Sequence, residues 1–299
     1  MSVVIPENST NVRTVSTLPH LGPRPPLWLR LGFRVAGALA PPLAARAAEE
    51  LFLRPPRPPP RPAPILERGH RFFLPVDGLQ LAIRSWGDGP TVLLQHGWGG
   101  RSDHLAAFVE PLLAAGFSVV APDAPAHGDS EGTHSNLVQF ARSIAAVAKR
   151  VQGLHGLVAH SMGAAASALA IHGGLPVRRA VFIASPASLS DRVHDFARAF
   201  DISPWVAQDL RARVERRVGF DMADLDIARV GRSMTTPLLV FHDPADREVP
   251  WRDGATIAQA WPGARLLDVP GAGHHRILKT QSVIEGSVAF LRSGGASLL

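Results

Sequence analysis

A serine stands where a run of apolar residues gives way to small ones, in the stretch LVAHSMGAAA at residues 157–166. Ser161 lies there between His160 and Met162. A serine in such a place has two readings. It can be the N-cap of a helix that follows a buried strand, which is the common case, or a nucleophile presented on a tight strand-to-helix turn. Taken alone, the stretch favours the cap.

The residues around Ser161 are small enough for a tight turn. Ala159, Gly163 and Ala164 flank it, and such a turn needs small side chains because the strand and the new helix approach each other closely. The helix would also direct its free N–H groups at whatever the serine attacks. The amide of Met162 is the first of these donors.

A serine hydroxyl is a weak nucleophile unless a base and an orienting acid accompany it. The chain offers candidates for both beyond residue 235. Asp243 and Asp246 follow the apolar run PLLVFH, whereas His274 and His275 follow the run ARLLDV and a Gly-Ala-Gly turn. Because the carboxyl ends of parallel strands meet at one edge of a sheet, we expect one aspartate and one histidine to reach Ser161.

The tetrahedral intermediate of acyl transfer needs a second backbone donor, and losing one such donor costs roughly 3–4 kcal/mol. The loop after the apolar run TVLLQ reads HGWGG, and its glycines allow the backbone amides to turn inward. We predict that the Trp98 amide is this donor and that His96 and Gly97 shape the loop. The Trp98 side chain would line the acyl pocket, with Phe182 or Trp205 near it.

Other chemistries leave weaker signals. The thirteen histidines form no His-x-x-x-His or His-Glu-x-x-His pair, and the chain has no cysteine to supply a thiolate ligand. The glycine-rich stretches lack the lysine and the spacing of a phosphate-binding loop. We therefore expect neither a metal nor any other cofactor.

The elements that must position these residues alternate along the chain. Two runs around Asp77-Gly78, RFFLPV at 71–76 and LQLAIRSW at 79–86, predict a β-hairpin. Six later runs are apolar throughout, as in buried parallel strands: 91–95, 117–121, 156–160, 180–184, 237–242 and 264–269. Helical patterns separate them at 102–114, 135–151, 162–172, 252–260 and 276–292. The alternation predicts an α/β fold with a mostly parallel eight-stranded sheet and helices on both faces.

One segment interrupts this alternation. Residues 187–234 hold two or three helical patterns and no strand among them. Ligands of such folds bind at the carboxyl edge of the sheet. We therefore expect this insertion to form a small helical cap, or lid, over that edge.

The first 70 residues differ in composition from the rest. They carry a net charge of +5 out of the formal total of +6, so the remainder is close to neutral and no nucleic-acid-binding face is expected. A proline-rich run fills residues 54–64 and is typical of polyproline II, and residues 1–22 are typical of disorder. Helices are predicted at Leu27–Leu39 and Leu43–Leu53.

Two interpretations of the first predicted helix stay open. Arg30 and Arg34 lie four residues apart, which would suit weak contact with an acidic membrane surface or an acidic partner. Alternatively, the helix packs on the main domain and covers an apolar patch. No segment has the length and hydropathy of a membrane span or the pattern of a secretory signal, so we expect a cytoplasmic protein.

Five segments, LLQHGWGG, APDAPAHGDSEG, LVAHSMGAAA, HDPADREVP and GAGHHRIL, resemble the successive signatures of the α/β-hydrolase superfamily, in that family's order and spacing. The resemblance covers about residues 71–293. It implies Ser161 as nucleophile, Asp246 as acid and His274 as base, with the Trp98 and Met162 amides forming the oxyanion hole. It also implies a core at 71–186 and 235–299 and a cap at 187–234. The chain departs from the family's G-x-S-x-G at Ala159, where glycine is usual.

These observations predict a serine hydrolase that acts on a small-molecule acyl substrate and cleaves its carboxylic ester or thioester bond through an acyl-enzyme at Ser161. Two alternatives stay open. One is an acyltransferase, or another non-hydrolytic reaction on the same triad, and the other is a non-catalytic binding protein of the same fold. The oligomeric state cannot be read from the sequence.

Overall fold

The computed structural model describes residues 25–293, so the prediction for residues 1–22 lies outside the described residues. The strands are β1 His70–Val76, β2 Leu79–Trp86, β3 Thr91–Gln95, β4 Ser118–Pro122, β5 Leu154–His160, β6 Val177–Ile183, β7 Leu238–His242 and β8 Arg265–Asp268. The α-helices are α1 Leu27–Leu39, α2 Pro41–Leu53, α3 Pro64–Glu67, α4 Val109–Ala114, α5 Leu137–Arg150, α6 Met162–His172, α7 Leu189–Ala199, α8 Pro204–Val218, α9 Ile227–Gly231, α10 Trp251–Ala260 and α11 Gln281–Arg292. Short 3₁₀ helices occupy Ser102–Phe108, Met222–Leu225 and Arg276–Lys279.

The strands form one eight-stranded sheet in the order β1-β2-β4-β3-β5-β6-β7-β8. The hairpin strands β1 and β2 pair antiparallel, and β2 pairs antiparallel with β4, whereas all pairs from β4 to β8 are parallel. The predicted α/β fold with a mostly parallel sheet and an antiparallel edge is confirmed. The carboxyl ends of β3, β5, β7 and β8 consequently share one edge.

Helices cover both faces of the sheet. Because successive strand residues point to opposite sides, each strand contributes to the core on both faces. In β3, Leu93 belongs to the core that α5 and α6 complete, whereas Val92 and Leu94 belong to the core that α4 and α11 complete. All three side chains are fully buried. The continuous apolar runs seen in the sequence are those of strands buried on both faces.

The helices of the insertion pack against α1 and α2, the first two of the three helices that precede the sheet. Phe33 of α1 meets Phe200 in an edge-to-face contact, with ring centroids 5.8 Å apart, and Arg30 lies 2.7 Å from Asp201. In α2, Glu49 pairs with Arg217 of α8 at 2.8 Å. The first helix therefore packs on the insertion rather than on the sheet. Within residues 25–293 no helix is long and apolar enough to cross a membrane.

The proline-rich run between α2 and α3 lies along the carboxyl edge of the sheet. The guanidinium of Arg57 donates hydrogen bonds of 2.8 Å to three carbonyls, those of Ala126, Ser130 and Gly132. The amide of Arg61 donates to Asp103 at 2.9 Å. These contacts attach the run to the loops after β3 and β4. The short helix α3, which the sequence did not predict, follows the run.

Candidate active site

The backbone of Ser161 has the strained geometry of a nucleophile turn. Its φ of 52° and ψ of −126° lie in a region that non-glycine residues rarely adopt. The Ser161 amide donates to the Ile183 carbonyl at 2.9 Å, which fixes the turn between β5 and α6. Ser161 is not a side-chain cap, because its hydroxyl makes no capping hydrogen bond to α6. The hydroxyl is directed at His274 instead.

Two glycines, one in the first turn of α6 and one in the loop after β3, leave the space that this turn needs. A Cβ at Gly163 would overlap the carbonyl of His96, and one at Gly97 would lie 2.9 Å from the Ser161 Cβ. Ala159, the residue that departs from the usual glycine, is fully buried. Its neighbours across the sheet are Gln95 and Phe182. The core accommodates its methyl group with the turn intact.

Three side chains from three strand ends form one hydrogen-bonded chain. The Ser161 Oγ lies 3.1 Å from His274 Nε2, and His274 Nδ1 lies 2.8 Å from Asp246 Oδ2. The serine hydroxyl donates to Nε2 and the Nδ1–H donates to the carboxylate. The structure therefore brings together the three residues that the resemblance implied. Of the two candidate aspartates Asp246 joins the chain, and of the two candidate histidines His274 does.

The carboxylate of Asp246 is buried and held ionised. Burial by itself would raise the pKa of Asp246. The hydrogen bond and charge of His274, together with the amides of Val249 and Glu248 at 3.0 and 2.8 Å, outweigh burial and lower that pKa below its ordinary value. A permanently ionised carboxylate can orient the imidazole and stabilise its protonated form.

Asp243 has a different place, which the sequence did not reveal. Its buried carboxylate accepts hydrogen bonds from the amides of Gly271 and Gly273, in the loop that carries His274, and from Ala245. The two aspartates therefore have different roles. Asp246 contacts the imidazole, and Asp243 holds the backbone that presents it.

His275 pairs with a second carboxylate, and its ring meets that of His274 edge to face. Its Nε2 lies 3.1 Å from Glu248 Oε1, and both side chains are partly exposed at the rim of the cavity. Contact with Glu248 raises the pKa of His275 above its ordinary value. Glu248 lies within the segment HDPADREVP, but no sequence pattern pairs it with His275, so this second pair was not predicted.

His96 joins two loops of the site through both of its ring nitrogens. Nδ1 donates to the Gly97 carbonyl at 2.7 Å, and Nε2 accepts from the Ala124 amide at 2.9 Å. Only the neutral imidazole can do both. Burial lowers the pKa of His96 to about 4, which keeps it in that form. The predicted loop-shaping residue thus ties the loop after β3 to the loop after β4.

The Trp98 and Met162 amides, predicted as oxyanion donors, belong to residues that line the same cavity as Ser161. Among the residues that the structure describes, neither amide has a protein hydrogen-bond partner. Met162 begins α6, whose N-terminal amides carry a partial positive charge. Two free donors beside the serine can stabilise negative charge that develops on a bound carbonyl oxygen.

The cavity at Ser161 has a volume of about 290 Å³ and apolar walls. The walls come from the turn at Ser161, the loops after β3 and β7, the insertion and, unexpectedly, the last turn of α2. Their apolar residues are Leu51, Phe52, Leu53, Trp98, Met162, Leu189, Phe196, Val214, Val218, Leu225, Ile227 and Val249. The contribution of α2 was missed because the resemblance begins only at residue 71. Polar groups also reach the cavity, among them Arg192 of α7.

Two aromatic residues that the sequence placed near the pocket lie elsewhere. Phe182 is fully buried in the sheet, where its ring meets Trp261. Trp205 is 75% exposed at the start of α8. Of the three, only Trp98 lines the cavity. Among residues 25–293 no group of three potential ligands is arranged to hold a metal ion.

Comparison with known proteins agrees with the fold. The chain belongs to the α/β-hydrolase family, whose family model matches residues 91–283. It is 26% identical over 255 residues to a non-heme haloperoxidase from Rhodococcus erythropolis, an alignment that covers 68% of this chain and 92% of that protein. It is also 31% identical over 175 residues to a dihydrolipoyllysine-residue acetyltransferase component of an acetoin cleaving system from Cupriavidus necator.

The second alignment covers 56% of this chain but only 44% of the acetyltransferase component, so the chain spans less than half of that relative. Among solved structures, an esterase from Exiguobacterium antarcticum superposes with a TM-score of 0.59 at 18% identity, over 73% of this chain and 97% of that one. At this identity the likeness concerns the fold.

Proposed function

We propose that the protein is a serine hydrolase that cleaves a carboxylic ester or thioester through an acyl-enzyme at Ser161. The observation that carries the proposal is the hydrogen-bonded chain from Ser161 through His274 to Asp246. Its serine end lies in a cavity that also contains two free backbone donors. This combination supplies a nucleophile, a base, an orienting acid and a site for the oxyanion.

In the proposed reaction Ser161 Oγ attacks the substrate carbonyl while His274 Nε2 takes the hydroxyl proton. The Trp98 and Met162 amides donate to the resulting oxyanion. The intermediate collapses, the bond to the leaving group breaks, and the protonated His274 gives its proton to the departing oxygen or sulfur. Water then attacks the acyl-enzyme with His274 as base, releases the acid and restores Ser161. Asp246 stabilises the imidazolium in both halves of the reaction.

The cavity supports an apolar acyl group as the part of the substrate that is bound. Its walls are mainly aliphatic and aromatic, and apolar surface buried there contributes about 25 cal/mol per Å². The polar side chains of Glu248, His275 and Arg192 reach the same cavity, and we assign them to the polar side of the scissile bond. A small-molecule acyl ester fits this distribution.

Labelling with a fluorophosphonate tests the proposal directly, because the reagent modifies only an activated serine. We expect one adduct, at Ser161, found by mass spectrometry of tryptic peptides. Ser135→Ala is the matched control, since Ser135 lines the same cavity and its buried hydroxyl has no partner among the described residues. Ser135→Ala should label fully and Ser161→Ala not at all. A folded wild-type chain that stays unlabelled would refute the proposal.

Acyl transfer to an acceptor other than water is the second candidate, and the alignment with an acetyltransferase component is the observation that favours it. The same acyl-enzyme serves both reactions, since only the second nucleophile differs. Turnover of p-nitrophenyl esters with added alcohols separates them. Hydrolysis gives the free acid at every alcohol concentration, whereas transfer gives the new ester as main product.

A further inference from the structure

The outward face of α1 is apolar. Five side chains on this face are exposed: Leu27, Trp28, Leu31, Val35 and Leu39. The exposed fraction reaches 72% for Trp28 and 81% for Leu39. Leu43, at the start of α2, is also exposed. We call these six residues the outer stripe.

The spacing of the outer stripe places it on one side of the helix. Residues 27, 31, 35 and 39 are four apart, and residue 28 lies beside them on the helical wheel. The helix has 13 residues, so the stripe is about 20 Å long. Such a continuous row differs from the scattered apolar side chains of an ordinary surface.

The opposite side of α1 packs against the insertion, so the helix cannot rotate about its axis to bury the outer stripe. Phe33 is buried against Phe200, and Arg30 is paired with Asp201. A Cβ at Gly37 would lie 3.5 Å from Val206 of α8. These contacts, on one side of the helix, fix the direction in which the stripe faces. An apolar face that is fixed outward calls for a partner outside the described chain.

The charges around the stripe indicate which partner. The sequence has no aspartate or glutamate from residue 25 to residue 48, and it has three arginines there, at positions 30, 34 and 46. Arg30 and Arg34 share the single carboxylate of Asp201, and the Arg34 side chain remains 62% exposed. A second copy of the chain on this face would bring like charges together, whereas an anionic surface would be attracted.

We propose that α1 docks on the surface of a bilayer that contains anionic phospholipids, with the outer stripe in the acyl region and the arginines at the headgroups. A helix with an apolar face, a tryptophan and arginines at its border has the composition of a helix that lies in the membrane interface. Trp28 supplies a ring that is both apolar and hydrogen-bonding, as that region favours.

Docking would bring the active-site cavity close to the lipid. The helix α2 follows α1 after one residue, and its last turn, Leu51–Leu53, lines the cavity. This consequence rests on the proposed function and names an acyl ester drawn from a lipid surface as the substrate class. The docking itself does not depend on Ser161, so its test needs no turnover.

Flotation with phospholipid vesicles tests the docking. The full chain is mixed with vesicles of phosphatidylcholine, or of phosphatidylcholine with one third phosphatidylglycerol, and the bound fraction is measured against lipid concentration. We expect binding to the anionic vesicles that weakens as salt is added. The double variant Leu31→Asp with Val35→Asp should bind roughly tenfold more weakly or worse. Ser161→Ala should bind like the wild type.

Phe73→Asp is the matched control, because Phe73 is 52% exposed on the edge strand β1 and lies outside the stripe. It should bind like the wild type. Hydrolysis of a short water-soluble ester and the thermal unfolding midpoint show that the double variant is folded. Wild-type chain that floats with neither vesicle, or a folded double variant that floats equally well, would overturn the proposal. So would a wild-type dimer that the double variant dissociates without any vesicle binding.

Discussion

Two histidine–carboxylate pairs stand side by side at the carboxyl edge of the sheet. His274 lies 2.8 Å from Asp246, and His275 lies 3.1 Å from Glu248. The residue types, the distances and even the sequence positions are nearly the same. Their exposure is not: the side chains of the first pair are 5% and 0% exposed, and those of the second 55% and 36%.

The difference lies in what surrounds each pair. The hydrogen bond and charge of His274, followed by the backbone amides of Val249 and Glu248, lower the pKa of Asp246 despite its burial. The other imidazole nitrogen of His274 faces Ser161. The ion-pair partner of His275 is Glu248, whose hydrogen bond and charge raise the pKa of His275, and water screens that pair. A histidine–carboxylate pair can therefore serve as base and orienting acid only where the fold excludes water and supplies a hydroxyl that donates to the second nitrogen.

Replacing the two histidines in turn should separate the pairs most sharply. We expect His274→Gln to lower kcat by about 10⁴-fold or more, because it removes the proton acceptor. His275→Gln should lower kcat by less than about tenfold, since it does not contact Ser161. Steady-state turnover of a p-nitrophenyl ester measures both. Equal losses in the two variants would show that the pairs act as one unit.

The carboxylates offer the next largest contrast. Asp246→Asn keeps the shape but removes the charge that stabilises the imidazolium, so we expect kcat to fall by about 10³- to 10⁴-fold. Glu248→Gln should change kcat by only a few-fold, because its partner is exposed. An Asp246→Asn variant with nearly wild-type kcat would mean that another group orients His274.

Asp243 tests whether the loop beneath His274 must be held. Asp243→Ala removes the acceptor for the Gly271 and Gly273 amides. We expect kcat to fall by about 10- to 100-fold with KM little changed, because His274 is displaced while the cavity is not. Asp243→Asn keeps one acceptor oxygen and should recover part of the loss. A rise in KM without a fall in kcat would contradict this positioning role.

The smallest expected effect is on the pH dependence of stability, and it comes from buried histidines that do not line the cavity. Burial lowers the pKa of His96 to about 4 and that of His127 to about 3, against 6.5 in an unfolded chain. The unfolded chain thus binds more protons than the folded one between about pH 4 and 6.5. The free energy of unfolding should fall as the pH drops through that window, by up to about 1.4 kcal/mol per pH unit for each histidine.

Urea unfolding at several pH values measures this slope. His127→Phe preserves an aromatic ring beside Phe140 and removes one titrating group, so the free energy of unfolding should vary less steeply with pH. His70→Gln, at an exposed position, should leave the slope unchanged. If both variants keep the wild-type slope, His127 does not contribute to the pH dependence of stability.

The sheet was predictable from the sequence because its strands are short apolar runs separated by helical patterns. The runs at 91–95 and 79–86 begin and end in the structure where the sequence puts them, and α6 does so as well at Met162–His172. The positions of Ser161, His274 and an aspartate at one edge followed from the parallel direction of the predicted strands. Which aspartate contacts His274 depends on how the loop after β7 turns, and propensity does not encode that turn.

The region before the sheet was less predictable, for a physical reason. The helix α1 is apolar on two opposite sides, so its pattern does not say which side packs. Its partners, Phe200 and Asp201, lie about 170 residues away in the chain. The wall that Leu51, Phe52 and Leu53 give to the cavity could not be inferred without knowing this packing.

That wall has a consequence for how such proteins diversify. Leu51, Phe52 and Leu53 come before residue 91, where the match to the family begins. Substitutions there would reshape the acyl pocket while every family signature stayed unchanged. Relatives grouped by those signatures alone could therefore prefer different acyl chains, and acyl preference can evolve in this segment without any change to the reacting groups.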